Sequence, residues 1–188
     1  VRGAAAGARG EGTAQAVRVA LAADLAYPFG NQCPYALWRL SHSKMFQEIL
    51  AFWLHEIDAN QWRTYDPAFD ALLRKRFLGC LQQAAAGELF AWRASPAGRL
   101  AEVIVLDQFS RNIHRGTPLA FSQDGMALVL AQEAISAGAM SVLDEEERAF
   151  LLMPHMHSES RTIHAQAEVL FQRYAPSRHQ PELRHKAV

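Results

Sequence analysis

The sequence predicts an all-α fold. Apolar residues recur at three- and four-residue spacing from Met45 onward, Asp-Pro and Ser-Pro pairs recur as helix starts, and no stretch shows the two-residue alternation of a strand bounded by hairpin turns. About six helices of roughly 12 to 20 residues on short loops favour antiparallel helical pairs, as in a bundle or a helical stack. No clean 34-residue self-similarity is visible, so periodicity alone does not establish repeats.

The first helix is expected over 45–57, where Phe46, Ile49, Leu50, Trp53 and Leu54 form an apolar stripe. Asp66-Pro67 opens a second over 67–86. The aspartate accepts orphan amide protons, proline needs no donor at the first turn, and Gly87 ends the run. Ser95-Pro96 repeats this signal for a third helix over 96–113, closed by Gly116 and Pro118. Asp124 is expected to cap a fourth over 125–137, ending at Gly138. Asp144 and Glu147 form a capping-box pattern for a fifth over 145–153, which Pro154 should disturb. Ser158 and Glu159 then serve as cap and first turn of a sixth over 158–174. Trp53, Trp62 and Trp92 read as core or interhelical anchors.

With 188 residues, half of them hydrophobic, the chain can bury one substantial core over 45–174. Residues 1–44 read as an extension, rich at first in Ala, Gly and Arg. A short helix is expected at Ala16 to Leu25, and Pro28, Gly30, Asn31 and Pro34 are breakers. Met45 is a candidate start, which would make the extension upstream sequence in a misjudged frame. Residues 175–188 read as a tail.

Lys plus Arg and Asp plus Glu balance at 19 each, which argues against a nucleic-acid surface or a polybasic membrane patch. Apolar runs are interrupted by charge before they reach the length of a membrane span. Cys33 and Cys80 fit neither a disulfide framework nor a zinc set, consistent with a cytoplasmic protein.

The most informative stretch is Leu106 to Gly116, where an apolar helix becomes dense in charge and amide. On a regular α-helix Ile104, Gln108, Arg111 and Arg115 share one sector, and Asp107 lies four residues before Arg111. The candidate ligand-binding set is Asp107, Gln108, Arg111, Asn112 and Arg115, with the two arginines able to grip one small anion. A structural polar network is the competing explanation. The second cluster, Met153 to Glu159, offers His157 as acid or base with Glu159 or Asp107 setting its protonation. His155 and His157 diverge on a helix, and no second cluster of metal-ligand spacing accompanies them, so neither a metal nor another cofactor is expected.

LDQFSRNIHRGTPLAFSQDGMAL and ERAFLLMPHMHSE, with ILAFWL, WRTYDPAFDALLRKRF and GELFAWRASPAGRLAEVIVLDQF, resemble the bacterial family catalogued as domain of unknown function 924, over about residues 46–174. The resemblance implies a tetratricopeptide-like α-α superhelix with no assigned biochemical activity. It also implies signature positions at Asp107, Gln108, Arg111, Asn112, Arg115 and Gly116, with His157, Ser158 and Glu159. The family usually carries Pro at Ser110 and Phe at His155, and continues into a closing helix where this chain has APSRHQPELRHKAV, so the tail is expected to be truncated. The functional expectation is a module binding a small anionic ligand or a protein partner. The alternatives are a hydrolase or transferase acting on an anionic substrate through His157, and a structural scaffold.

Overall fold

The computed structural model describes residues 44–178. The expected helix at Ala16 to Leu25, the breakers after it, Cys33 and the last ten residues lie outside that range. Within it the fold is all-α.

Helix α1 covers residues 44–51 and runs into a π-helical turn, Phe52–Glu56. Helix α2 is Pro67–Ala85, capped by the Asp66 carboxylate, which accepts from the amides of Ala68 and Phe69. Helix α3 occupies residues 96–113, starting from a Ser95 cap on the Gly98 amide. It consists of α-helical Pro96–Ile104, a π-helical turn Val105–Phe109 and a last α-turn Ser110–Ile113. Helix α4 is Asp124–Ser136, α5 is Glu145–His157 and α6 is Arg161–Tyr174. The capping box of α5 forms as the pattern predicts, with Asp144 and Glu147 each accepting from the other's amide at 2.9 Å.

Three local expectations are corrected. Asp124 does not cap α4: Gln123 holds the cap position without a side-chain bond, and the Asp124 carboxylate turns to Arg111 instead. Helix α5 does not stop at Pro154 but continues through His157, closing with a bond from the Ser158 amide to the Pro154 carbonyl. The cap of α6 is Ser160, accepting from the Ile163 amide, while Ser158 Oγ accepts from the Ser160 amide in the linker.

Helix α3 is the centre of the fold. It packs against α2, α4 and α5, and every residue from 101 to 110 is buried. This is what the unbroken apolar run around Val103 to Leu106 demands, since a helix apolar on all sides has no face for water. Phe109 carries this core toward α1, α2 and α5: its ring lies 5.0 Å from Phe77 and 5.4 Å from Trp53, and Trp53 meets Phe150 edge-on. Trp53 and Trp92 are buried, as their anchor role requires, and Trp62 is half-buried against Phe150.

A central helix has a cost: any polar side chain on it must be satisfied inside the protein. Glu102, wholly buried, is met by both Nε and Nη2 of Arg93 at 2.7 Å. Cys80 is also buried, and burial, aided by the charges of Glu102 and Glu48, pushes its thiol up to about 12. It is therefore a small core residue without thiolate reactivity near neutral pH.

Candidate functional site

Asp107 and Gln108 sit within the π-turn of α3. There the Ser110 amide bonds to the Val105 carbonyl, a five-residue step, so one extra residue fits into the turn. Both side chains stay buried yet serve different neighbours. Asp107 Oδ1 lies 2.7 Å from Nδ1 of His157 in the last turn of α5, and Asp107 Oδ2 accepts from Gln108 Nε2 at 2.6 Å. Gln108 itself borders a separate recess of about 50 Å³ with Trp62 and Met153.

Arg111 leaves α3 one turn later. Its Nη2 donates to Asp124 Oδ2 at 3.0 Å and lies 3.6 Å from Asp107 Oδ1. Its Nε lies 3.2 Å from His157 Nδ1. An imidazole nitrogen cannot both donate to a carboxylate and accept from a guanidinium. The shorter contact, to a full negative charge, assigns the Nδ1 proton to the bond with Asp107. In that tautomer the other ring nitrogen, Nε2, is an acceptor on the far side of the ring. Burial alone would push the Asp107 carboxyl up. The charge and hydrogen bond of His157, the charge of Arg111 and the Gln108 amide together outweigh it and hold Asp107 below its ordinary range.

Arg111, Asp124 and His157 line a cleft of about 760 Å³ between the end of α3, the start of α4 and the end of α5. Arg111, Asp124, His157, Ser158 and Glu159 supply its polar lining, with Phe121, Leu128 and Pro154 as apolar wall. The Arg111 guanidinium also lies 5.1 Å from the centre of the Phe121 ring. Arg111 Nη1 and Asp124 Oδ1 are shielded and have no hydrogen-bond partner among the described residues.

Arg115 does not join this cleft. The α-helix ends at Ile113, and beyond it four-residue spacing no longer means a shared face. The chain turns at Gly116, whose φ of 78° suits a residue without Cβ. Arg115 instead reaches α2, where its Nε and Nη2 donate to the two Asp70 oxygens at 2.6 and 3.0 Å, and Nη2 also meets Asn112 Oδ1 at 2.5 Å. Asn112 in turn donates to the Gln108 carbonyl at 2.9 Å. The structure thus brings Arg111, His157 and Glu159 to one cleft, with Asp107 buried behind Arg111 and His157, and puts Asn112 and Arg115 on the edge of a second recess. Buried His155 faces a groove beside α4 and α6, away from His157.

Sequence reasoning missed Asp124, read as a cap, and Asp70, which lies 45 residues from its arginine. Helix-cap statistics carry no information on a tertiary partner, so neither had a local signal.

Fold and site together define an all-helical protein with an aspartate-backed histidine at an interhelical cleft. The chain belongs to the bacterial protein family of unknown function DUF924, whose model matches residues 49–187. A solved structure of a protein of unknown function from Agrobacterium tumefaciens is similar, with 31% identity and a TM-score of 0.70 over 76% of this chain and 78% of that one. A comparison with curated proteins finds no match.

Proposed function

We propose that the chain is a small-molecule-binding protein whose ligand occupies the cleft between α3, α4 and α5, held by Arg111, Asp124, His157 and Glu159. The observation that carries this reading is the pair of shielded, unpartnered atoms on adjoining residues, Arg111 Nη1 and Asp124 Oδ1, at a cleft of ligand size. An unmet buried donor or acceptor costs about 1–3 kcal/mol, and a polar group bound beside it recovers part of that. The cleft lining sets one guanidinium, Arg111, against two carboxylates, Asp124 and Glu159. A bare anion is therefore a poor match, and a group offering both an acceptor for Arg111 and N–H donors for the carboxylates is a good one. Primary amides, ureas and amino acids have that pattern.

The test is a thermal-shift and calorimetric screen of such compounds on the full chain. A binder should lose its effect in Arg111→Ala and in Asp124→Asn, each checked for folding by circular dichroism. Hits indifferent to both substitutions would refute the assignment.

A catalytic reading is favoured by the 2.7 Å bond between Asp107 and His157. In it His157 Nε2 takes a proton from a ligand or a water, and the Asp107 carboxylate offsets the charge that the ring acquires. Turnover of a bound compound that disappears in His157→Gln while binding persists would favour it over simple binding.

A further inference from the structure

The recess on the α2 side of Arg115 has the opposite electrostatic character from the cleft. Its volume is about 650 Å³, and Arg74, Lys75 and Arg115 line it against a single carboxylate, Asp70. Three positive groups against one negative leave two uncompensated charges, in a chain whose net charge is zero. The cations are also held in place. Arg115 is fixed by its bonds to Asp70 and Asn112, and Arg74 Nη2 donates to the Ile113 carbonyl at the end of α3. Much of the entropy of ordering those two side chains is therefore already lost in the free protein, which favours binding through their remaining N–H groups. The Tyr65 ring stands at the rim, 68% exposed, with the Arg115 guanidinium 5.5 Å from its centre. An exposed aromatic ring beside a basic recess provides a flat apolar surface next to an anion-holding one.

We infer that this recess is a second ligand site, distinct from the cleft, which takes the phosphate of a small phosphomonoester between Arg74, Lys75 and Arg115 and the organic part against Tyr65. A dianion matches the two uncompensated charges, whereas a monocarboxylate would leave one over. Guanidinium forks and a lysine ammonium are suitable donors to phosphate oxygens. The anion site that the sequence suggested for Arg111 and Arg115 together falls to Arg115 alone, with two partners from α2. This inference does not depend on the reading of the cleft.

The experiment is isothermal titration of the full chain with phenyl phosphate, inorganic phosphate and benzoate at low ionic strength. It is run at about pH 7.5, above the second phosphate pKa of about 6. Phenyl phosphate should bind most tightly. Lys75→Ala and Arg74→Ala should each weaken it by about tenfold, the loss of one charge-assisted contact. Tyr65→Ala should remove the advantage of phenyl phosphate over inorganic phosphate, and Arg111→Ala and His157→Ala should change nothing. Among the described residues Lys75 has no ion pair or hydrogen bond to lose, so Lys75→Ala reports on binding even if Arg74→Ala perturbs the end of α3. Absence of saturable binding by the parent chain would overturn the assignment. So would affinity that survives both Arg74→Ala and Lys75→Ala, or that vanishes in Arg111→Ala.

Discussion

Replacing Asp107 with alanine should be among the most destabilising single changes in the polar network, and the structure indicates by how much. The carboxylate is 1% exposed and has three neighbours: His157 Nδ1 at 2.7 Å, Gln108 Nε2 at 2.6 Å and Arg111 Nη2 at 3.6 Å. Breaking a fully buried charge pair by removing one partner costs about 3–5 kcal/mol. Here the His157 and Arg111 side chains keep 20% and 19% exposure, so water can partly recover their loss. Gln108 has no such relief and loses its acceptor, worth about 1–3 kcal/mol. Removing the desolvated carboxylate returns part of the total, and a net loss of about 2–4 kcal/mol results. Asp107→Asn keeps the shape and one acceptor for His157 but loses the charge, and should fall between alanine and the parent. Because the folded carboxyl is held below its ordinary value of 3.8, its contribution is complete above that pH and is lost as pH falls through the folded value. The gap between parent and Asp107→Asn should therefore close in acid. Urea unfolding followed by tryptophan fluorescence at neutral pH and below about pH 4 measures both effects. An Asp107→Ala midpoint equivalent to less than about 0.5 kcal/mol of change, the range of an ordinary surface substitution, would refute the reasoning. A gap that stays constant into acid would refute the charge assignment.

Three further outcomes follow from the same packing. A Cβ on Gly98 would overlap the Trp92 carbonyl oxygen and sit 2.8 Å from its carbon, both backbone atoms, so Gly98→Ala should lower stability by about 2–3 kcal/mol; a wild-type melting temperature would contradict it. Arg93→Ala should cost more than Glu102→Ala. The first strands a wholly buried carboxylate with Arg99 as a longer-range charge, and the second leaves a guanidinium that is partly exposed to water; denaturant titration giving the reverse order would sink this account. Burial, outweighing the nearby Leu152 carbonyl, pushes His155 below its ordinary 6.5, so the unfolded chain takes up a proton that the native state refuses, and stability falls as pH drops below 6.5. His155→Phe should raise stability, since Nδ1 has no partner among the described residues, and flatten that slope; His114, also pushed down by burial and by Arg74, should keep the remainder.

Most of the fold was legible because its signals are local. Asp66-Pro67, Ser95-Pro96 and the Asp144 to Glu147 box each place a helix start within a residue or two, and each does so by bonds inside one turn. What escaped is tertiary. A proline three residues before a helix end forfeits one backbone bond, and buried α5, packed on α3, α4 and α6, outweighs that loss, so Pro154 did not end it. Asp124 follows the same rule: a capping bond is worth about 1 kcal/mol, and a half-buried guanidinium across the cleft offers the carboxylate more. The polar stretch itself stood out by composition, because charge and amide on an apolar central helix must be paired somewhere. Its division into two recesses was not visible, because uniform helical rotation placed Arg111 and Arg115 on one face and no sequence signal marks the π-turn or the end at Ile113.

That division separates a buried network from two solvent-facing ends. A continuous chain of hydrogen bonds runs from His157 through Asp107 and Gln108, then by the Gln108 carbonyl to Asn112, Arg115 and Asp70. Its middle members, Asp107, Gln108 and Asn112, are buried, and their polar groups are directed at one another across the core. Its ends, His157 and Arg115, open onto the cleft and the basic recess. The buried part satisfies polar groups that a central helix could not otherwise carry, and in doing so it fixes the orientation of the side chains at both ends. Substitutions in the middle should therefore register first in stability, and substitutions at the ends first in binding. A stability effect at Asn112 is thus no evidence against a ligand at Arg115.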